Sequence, residues 1–371
     1  MNSDAFHHNP RWTVAFPLVG AAILVLSFAM PGLPGLVLLL AAGLACSVIA
    51  AVHHAEVIAH RVGEPFGTIV LALAVTVIEV ALIVSMMLSG GESSSALARD
   101  TVYAAVMIIL NGMIGISLLA GARRHFEQGY HVQGVTAGLA TLIAIVVFSL
   151  ILPNYVTSSA GPLYTNSQLV FIAIAILVLF AGFTFVQTVR HRDYFLPADD
   201  ADDARDADGD DSDEHVEPPT VRETFASLAL LLLALVVVVL SAKKISPSIE
   251  ALLASAGAPA ATVGILIATV VLLPEGIAAV RAAIHNRLQT SLNLAIGSAI
   301  ASIGLTVPTV ALLSLVMGWP LVLGLDGKAT VLLLLTLFVA SLSLRTGRTN
   351  VLLGLVHLVL FAAYLFLSFV P

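Results

Sequence analysis

The sequence predicts an all-α integral membrane protein of about 11 transmembrane helices: one extra N-terminal helix and two inverted five-helix repeats. Of its 371 residues, 59% are hydrophobic and 11% are charged, and mean hydropathy is +1.02. Soluble domains contain about a quarter charged residues. The apolar residues fall into eleven long segments, and one acidic stretch divides these into six and five.

Each predicted helix is an apolar segment that can span a bilayer, which takes about 20 residues. The ninth segment is long enough to be kinked or to extend out of the bilayer. In chain order the segments are 12–29, 34–59, 66–89, 101–120, 132–152, 167–189, 221–241, 260–283, 288–317, 327–344 and 350–370.

The basic residues predict the orientation, because Lys and Arg concentrate on the cytoplasmic side of membrane proteins. With a cytoplasmic N-terminus, twelve fall inside and four outside, and the opposite orientation reverses this bias. The C-terminus is then outside. The inside set is Arg11, Arg61, Arg123, Arg124, Arg190, Arg192, Arg205, Arg222, Arg281, Arg287, Arg345 and Arg348; the outside set is Arg99, Lys243, Lys244 and Lys328.

The long polar stretch, Asp199 to Glu217, carries eleven acidic residues and one arginine. Such a block repels itself and is typical of a solvated linker. Four of its residues match positions 1, 3, 5 and 12 of an EF-hand loop. Asp211, however, occupies the position at which that loop requires glycine, so we favour a solvated linker over a calcium-binding loop. The four are Asp206, Asp208, Asp210 and Glu217. The predicted regions are 1–32 (N-terminal region with the extra helix), 33–192 (first repeat), 193–219 (linker) and 220–371 (second repeat).

Two glutamates, Glu79 and Glu275, lie mid-way along apolar segments at corresponding places in the two halves. A carboxylate at the centre of a membrane helix costs about 2.5–3.5 kcal/mol on insertion scales. Repeats of five spans insert with opposite topology, and such repeats bind substrates at their midplane interface. We therefore expect a shared carboxylate site; the alternative is a pair of carboxyls kept protonated for structure alone.

Further oxygen ligands are expected near the glutamates, because Ca²⁺ prefers six to eight oxygens. Thr76 shares a helix face with Glu79. Pro274 precedes Glu275 and removes the hydrogen-bond partner of the Val270 carbonyl, which predicts a broken helix that exposes this oxygen. Asn111 and Ser298 are our choices from the following helices. The alternatives are a kink at Pro274 and small-residue faces at Gly297/Ala301 and Ser298/Ser302 that serve packing only.

A second group of polar residues lies at the C-terminal end of the second predicted span: His53, His54, Glu56 and His60. Histidine titrates near neutral pH, so these residues can relay protons or sense pH. We favour the alternative, a polar helix end at the headgroups. His357, inside the last span, is expected to be an interhelical hydrogen-bond partner.

Three stretches resemble the bacterial ChaA-type calcium/sodium–proton antiporters of the cation/calcium exchanger superfamily. They are HHAEVIAHRVGEPFGTIVLALAVTVIEVALI, LLPEGIAAVRAAIHNRLQTSLNLAIGSAIASIGLTVP and RTGRTNVLLG. The resemblance implies a ten-helix core plus an N-terminal helix, and matches Glu79 and Glu275 to the glutamates of the family motifs. The motif asparagine three residues earlier is Thr76 in one half and Leu272 in the other. Leu272 cannot coordinate a cation, which leaves room for Na⁺.

The expected function is secondary active exchange of cytoplasmic Ca²⁺ and/or Na⁺, with K⁺ as a further candidate, for external protons by alternating access. A cation channel is an alternative, but the polar residues concentrate at mid-depth instead of forming a continuous stripe. An intramembrane enzyme is the other alternative, but the sequence lacks motifs of such enzymes, for example HExxH. We expect no enzymatic activity, no cofactor besides the transported ions, no nucleic-acid partner and a multi-pass location in the bacterial inner membrane. A homo-oligomer is compatible with the sequence.

Overall fold

A computed structural model describes residues 10–63, 66–90, 95–195, 219–255, 257, 259 and 261–370. Most of the described chain is helical, and its eleven helices confirm the predicted all-α class. The acidic stretch from Asp199 to Glu217, with its EF-hand-like spacing, lies outside the described residues.

The helices are numbered α1 to α11 in chain order. Nine of those in the described part of the chain are long and apolar enough to cross a bilayer. The eleven helices of the described chain are α1 (Arg11–Ala29), α2 (Leu36–Val62), α3 (Phe66–Gly90), α4 (Leu97–His125), α5 (Val132–Asn154), α6 (Asn166–Arg190), α7 (Val221–Ser255), α8 (Thr262–Ile284), α9 (Leu288–Met317), α10 (Gly327–Ser343) and α11 (Val351–Phe369).

Local signals explain several helix ends. Thr165 and Gln168 form a capping box at the start of α6, which satisfies backbone groups that the first turn leaves unpaired. The Asp326 side chain accepts from the Ala329 N–H at the start of α10. Helix α9 ends at Met317 and is followed by Gly318, whose φ of 70° is a left-handed conformation that glycine adopts without strain.

The two halves contain different helix irregularities. Helices α4, α5 and α6 each include a π-helical turn: Ile108–Met113, Val147–Ile151 and Val186–Arg190. Helices α7, α8 and α9 instead contain Pro247, Pro274 and Pro308. The predicted break at Pro274 is wrong, because α8 continues as one helix from Thr262 to Ile284. Membrane helices tolerate proline where neighbouring groups satisfy the freed backbone atoms.

Among the described residues, the buried apolar side chains form three clusters, and two of these, a large and a small one, meet at α3 and α8. The small cluster includes Val48, Ala51 and Val52 of α2, Ala234 and Val238 of α7, Ile78 and Leu82 of α3, and Val271 of α8. The large cluster is built from α4, α5, α6, α9, α10 and Tyr364 of α11, and it also includes several residues of α3, among them Ile83, and of α8, among them Leu272. Among the buried apolar residues that the structure describes, only α3 and α8 contribute to both clusters.

A short antiparallel pair of strands joins two connections at the end of the molecule that carries Arg123 and Arg124. Strand β1 (Gln128–Gly129) follows α4, and β2 (Arg348–Thr349) precedes α11. Gln128 is opposite Thr349, and Gly129 is opposite Arg348. The pair links the fourth span to the last one.

Candidate functional site

Glu79 is buried on α3, with 2% of its surface exposed. Its neighbour Ile78 belongs to the small cluster and Ile83, one turn on, belongs to the large cluster. The carboxyl therefore lies where the two clusters meet. Its Oε2 atom accepts a 2.6 Å hydrogen bond from the Ser302 hydroxyl of α9. Its Oε1 atom is buried and has no hydrogen-bond partner among the described residues.

Glu275 lies at the same boundary on α8, one turn after Val271 of the small cluster and Leu272 of the large cluster. Its Oε2 atom accepts a 3.0 Å hydrogen bond from the Ser298 hydroxyl, also on α9. The side chain is half-buried.

Helix α9 brings the two carboxyls together. Ser298 and Ser302 are four residues apart, so they are neighbours on one helix face with about 5–6 Å between their Cβ atoms. Ala299 and Ala301, between the two serines, have small side chains, which let neighbouring helices approach α9 closely. The serines that bond the two carboxyls, one carboxyl from each half of the chain, are therefore about one helical turn apart on α9.

The chemistry of this group is that of an oxygen-donor site with variable charge. Two carboxyls can hold two negative charges, one proton or two protons, and the hydroxyl donors favour the ionised form. The hydroxyl oxygens keep lone pairs that a cation can use. In the part of the chain that the structure describes, no three His, Cys, Asp or Glu side chains come together. Cation binding would therefore draw on hydroxyls, carbonyls or water besides the carboxyls.

The other expected ligands have different surroundings. Thr76 is buried on α3, one turn before Glu79. The Val270 carbonyl still lacks the usual donor four residues on, because Pro274 has no N–H, although α8 is unbroken. The roles of both as ligands stay predictions. Ser302 is the residue that the sequence reasoning did not select: its spacing from Ser298 predicted a shared face, but only Ser298 was chosen as a ligand.

Asn111 lies in the π-helical turn of α4 and is bonded to a different group of side chains. Its Nδ2 donates to Thr336 Oγ1 of α10 at 2.9 Å, and its Oδ1 faces His357 Nδ1 of α11 at 3.3 Å. The other ring nitrogen of His357 is 2.8 Å from Ser343 Oγ. His357 thus links helices, as the sequence predicted. A cation-binding role for Asn111 stays a prediction, with its amide oxygen facing α11 here.

The histidine group at the end of α2 contacts α1. The His54 Nε2 atom is 3.0 Å from the Thr13 carbonyl oxygen, and the His53 ring centroid is 5.4 Å from that of Trp12. Glu56 and His60 are exposed. These contacts give His53 and His54 a part in holding α1 against α2, while a role of the group in proton relay or pH sensing stays a prediction.

Comparisons with known proteins place most of the chain in one family. The family model described as "Sodium/calcium exchanger protein" matches residues 32–189 and 226–370. A protein of Sinorhizobium fredii that is named as an ionic transporter is 47% identical, over 98% of this chain and 97% of its own. The sodium-potassium/proton antiporter ChaA of Escherichia coli is 34% identical, over 96% of each chain.

A solved structure confirms the fold. The crystal structure of an H⁺/Ca²⁺ exchanger named CAX superposes with a TM-score of 0.70 at 14% identity, covering 95% of this chain and 87% of the other. At that identity the likeness concerns the fold alone.

Proposed function

This chain, a multi-pass membrane protein, belongs to the sodium/calcium exchanger protein family, and we propose that it exchanges cytoplasmic Ca²⁺ and/or Na⁺ for external protons. K⁺ is a further candidate, since the Escherichia coli relative is named for sodium, potassium and protons. The observation that carries the proposal is the pair of carboxyls, Glu79 and Glu275, each bonded to a serine on the same face of α9. Protons and cations would compete for this pair.

Charge competition gives the coupling. When both carboxyls are ionised, they attract a cation, and bound protons remove that attraction. Ser298 and Ser302 supply hydroxyl oxygens, and we propose Thr76, the Val270 carbonyl and Asn111 as further ligands that complete the coordination in at least one transport state. A cation and protons would thus occupy the site in turn, which is the requirement of exchange.

The boundary position of the glutamates supports alternating access. The helices that bear them, α3 and α8, are those that contribute buried residues to both apolar clusters. Movement of α2 and α7, with α1 attached, against the larger cluster would open the boundary to one side of the membrane and then the other. Alternating access around a midplane site is common in transporters built from repeats. We propose that residues 33–192 and 220–371 are these repeats.

We propose an orientation in the bacterial inner membrane with the N-terminus in the cytoplasm and the C-terminus outside. The end of the described structure that bears Arg123, Arg124, Arg281 and Arg287 would then face the cytoplasm, as basic residues do in membrane proteins. Cations would enter the site from that end, and the inward proton gradient would drive their export.

The test is transport by purified protein in sealed vesicles, one ion at a time. Vesicles with an internal pH dye receive a gradient of Na⁺, K⁺, Ca²⁺ or Mg²⁺, and proton flux is recorded with an ionophore that clamps the membrane potential. We expect proton movement opposite to the cation for at least one of Na⁺, K⁺ and Ca²⁺. Cation flux without proton movement would contradict antiport and favour a channel.

The acidic stretch provides a separate prediction. Deleting Asp199 to Asp213 is expected to leave transport rate and ion preference nearly unchanged, because a solvated linker only needs to connect two helices. A matched control replaces the same residues with an equal number of Gly and Ser residues, which removes the charge and keeps the length of the connection between the helices. A several-fold change in the Ca²⁺ dependence of the rate in both variants would give the stretch a regulatory role.

A further inference from the structure

Helix α9 carries a buried hydroxyl that its neighbours leave without a partner. Thr306 has 0% of its surface exposed, and its Oγ1 atom has no hydrogen-bond partner among the described residues. A threonine in a helix often donates to the carbonyl four residues earlier, as Thr309 does to Leu305 at 2.7 Å. Buried polar groups without a partner are uncommon and cost free energy, so the Thr306 hydroxyl is a candidate ligand.

Thr306 lies one helical turn from the hydroxyl that bonds Glu79. Ser302 and Thr306 are four residues apart, so they are neighbours on one face of α9, with about 6 Å of rise between them. Ser302 donates to Glu79 Oε2, so this face of α9 is turned towards α3. Thr306 is on the side of this bond away from Arg287, which directly precedes α9, and hence on the outer side in the proposed orientation.

Two buried oxygens near this boundary lack partners, one from each half of the chain. Glu79 Oε1 and Thr306 Oγ1 bond neither each other nor any other described residue. A cation can join oxygens that are too far apart to hydrogen bond, because a Ca²⁺ ion, for example, lies about 2.3–2.6 Å from each of its oxygen ligands. Oxygen ligands suit alkali and alkaline-earth cations better than they suit metals that prefer sulfur.

We infer that Thr306 is a further cation ligand, which contacts the transported cation on the outer side of the bond between Ser302 and Glu79. The inference rests on the proposed function and adds one ligand to it. Ser302 occupies Glu79 Oε2, which leaves Oε1 for a cation that Thr306 Oγ1 also contacts. The bound cation would then have one ligand on α3 and one on α9, so it would link the two halves of the chain.

The unpartnered hydroxyl predicts opposite effects on stability and on binding. Without a cation it costs free energy, and valine has nearly the same shape with a methyl group in place of the hydroxyl. Thr306→Val is therefore expected to leave the thermal midpoint of the cation-free protein unchanged or raised. The variant would nevertheless bind the cation more weakly, because one oxygen ligand is lost.

The experiment measures how the thermal midpoint of the purified protein in detergent rises with Na⁺, K⁺ or Ca²⁺, one ion at a time, with choline chloride balancing the ionic strength. An ion that binds the folded protein stabilises it according to its concentration. For Thr306→Val we expect that about tenfold more cation is needed for the same rise in the midpoint. Thr306→Ser keeps the hydroxyl and should respond as the unmodified protein does.

Ser291→Ala is the matched control. Ser291 is also buried on α9 and its hydroxyl also lacks a partner among the described residues. It lies seven residues before Ser298, about 10 Å along the helix axis, so its removal should leave the cation dependence unchanged. The vesicle assay gives a second measurement: the cation concentration for half-maximal rate should rise by the same factor for Thr306→Val and stay unchanged for Ser291→Ala.

Each outcome decides the inference. A Thr306→Val protein with the cation dependence of the unmodified protein overturns it, and so does a Thr306→Ser protein that responds as weakly as Thr306→Val, because shape would then matter and not the hydroxyl. If Thr306→Val does not elute as intact protein, Thr306→Cys, with a soft sulfur in place of the hydroxyl, decides in the same way.

Failure of the proposed function gives a different result. If no cation moves the thermal midpoint of the unmodified protein, the half-maximal concentrations in vesicles decide the inference. Absence of cation-driven proton flux in the unmodified protein would instead overturn the proposed function itself.

Discussion

Replacing Glu79 or Glu275 with glutamine is expected to reduce cation-driven proton flux to the level of protein-free vesicles. Glutamine keeps the shape of the side chain and can still accept the serine hydroxyls. It cannot carry the negative charge for which proton and cation compete. Because each carboxyl contributes half of the site's charge, either substitution alone should abolish exchange.

The control for this prediction is Glu127→Gln. Glu127 is an exposed carboxyl outside the helices, 3.8 Å from an Arg348 nitrogen, and exposed ion pairs contribute little to stability. This variant should transport normally. The purified glutamine variants should elute as intact protein, which separates loss of transport from loss of folding. Retention of exchange by either variant would remove that glutamate from the mechanism.

Replacing Gly354 with valine is expected to destabilise the protein clearly. A Cβ atom at Gly354 of α11 would lie 2.7 Å from the Leu119 backbone nitrogen and 3.0 Å from the Gly115 carbonyl oxygen, both in α4. Backbone atoms cannot move aside, so the two helices would have to separate. Overpacking of this kind costs about 1–3 kcal/mol, and separation would also stretch the contact of His357 with Asn111.

The measurement is thermal stability in detergent, taken as the fraction of protein that still elutes intact after heating. Gly182→Val in α6 is the matched control, because nothing lies within 4 Å of a Cβ atom at that position. We expect a clear fall in the midpoint for Gly354→Val and little change for Gly182→Val. Equal midpoints would mean that α4 and α11 adjust to the added methyl groups.

Hydropathy located all eleven helices, and its errors at helix ends come from charges that the fold accommodates. The fourth span was predicted from residue 101, but the helix begins at Leu97, because Arg99 and Asp100 pair at 2.8 Å. The seventh was predicted to end at 241, but the helix continues to Ser255. Lys244 stands over the Phe28 ring of α1, 4.1 Å from its centroid, which offsets part of the cost of a charge there.

The sequence alone predicts the charged residues of the candidate site but not all of their partners. A carboxyl in an apolar span is costly and therefore informative, so Glu79 and Glu275 could be found. The hydroxyl partners depend on which faces of α3, α8 and α9 meet, and small residues that pack look the same in sequence as small residues that bind. The same limit applies to Asn111, whose partners Thr336 and His357 lie more than two hundred residues away.

The central claim is that one pair of carboxyls binds protons and cations in turn. The direct measurement is the initial transport rate against cation concentration at several pH values, with purified protein in vesicles. We expect apparent cation affinity to rise with pH while the two carboxyls lose their protons, and to level off once both are ionised. An apparent affinity that does not change with pH would contradict the shared site and indicate separate paths for the two ions.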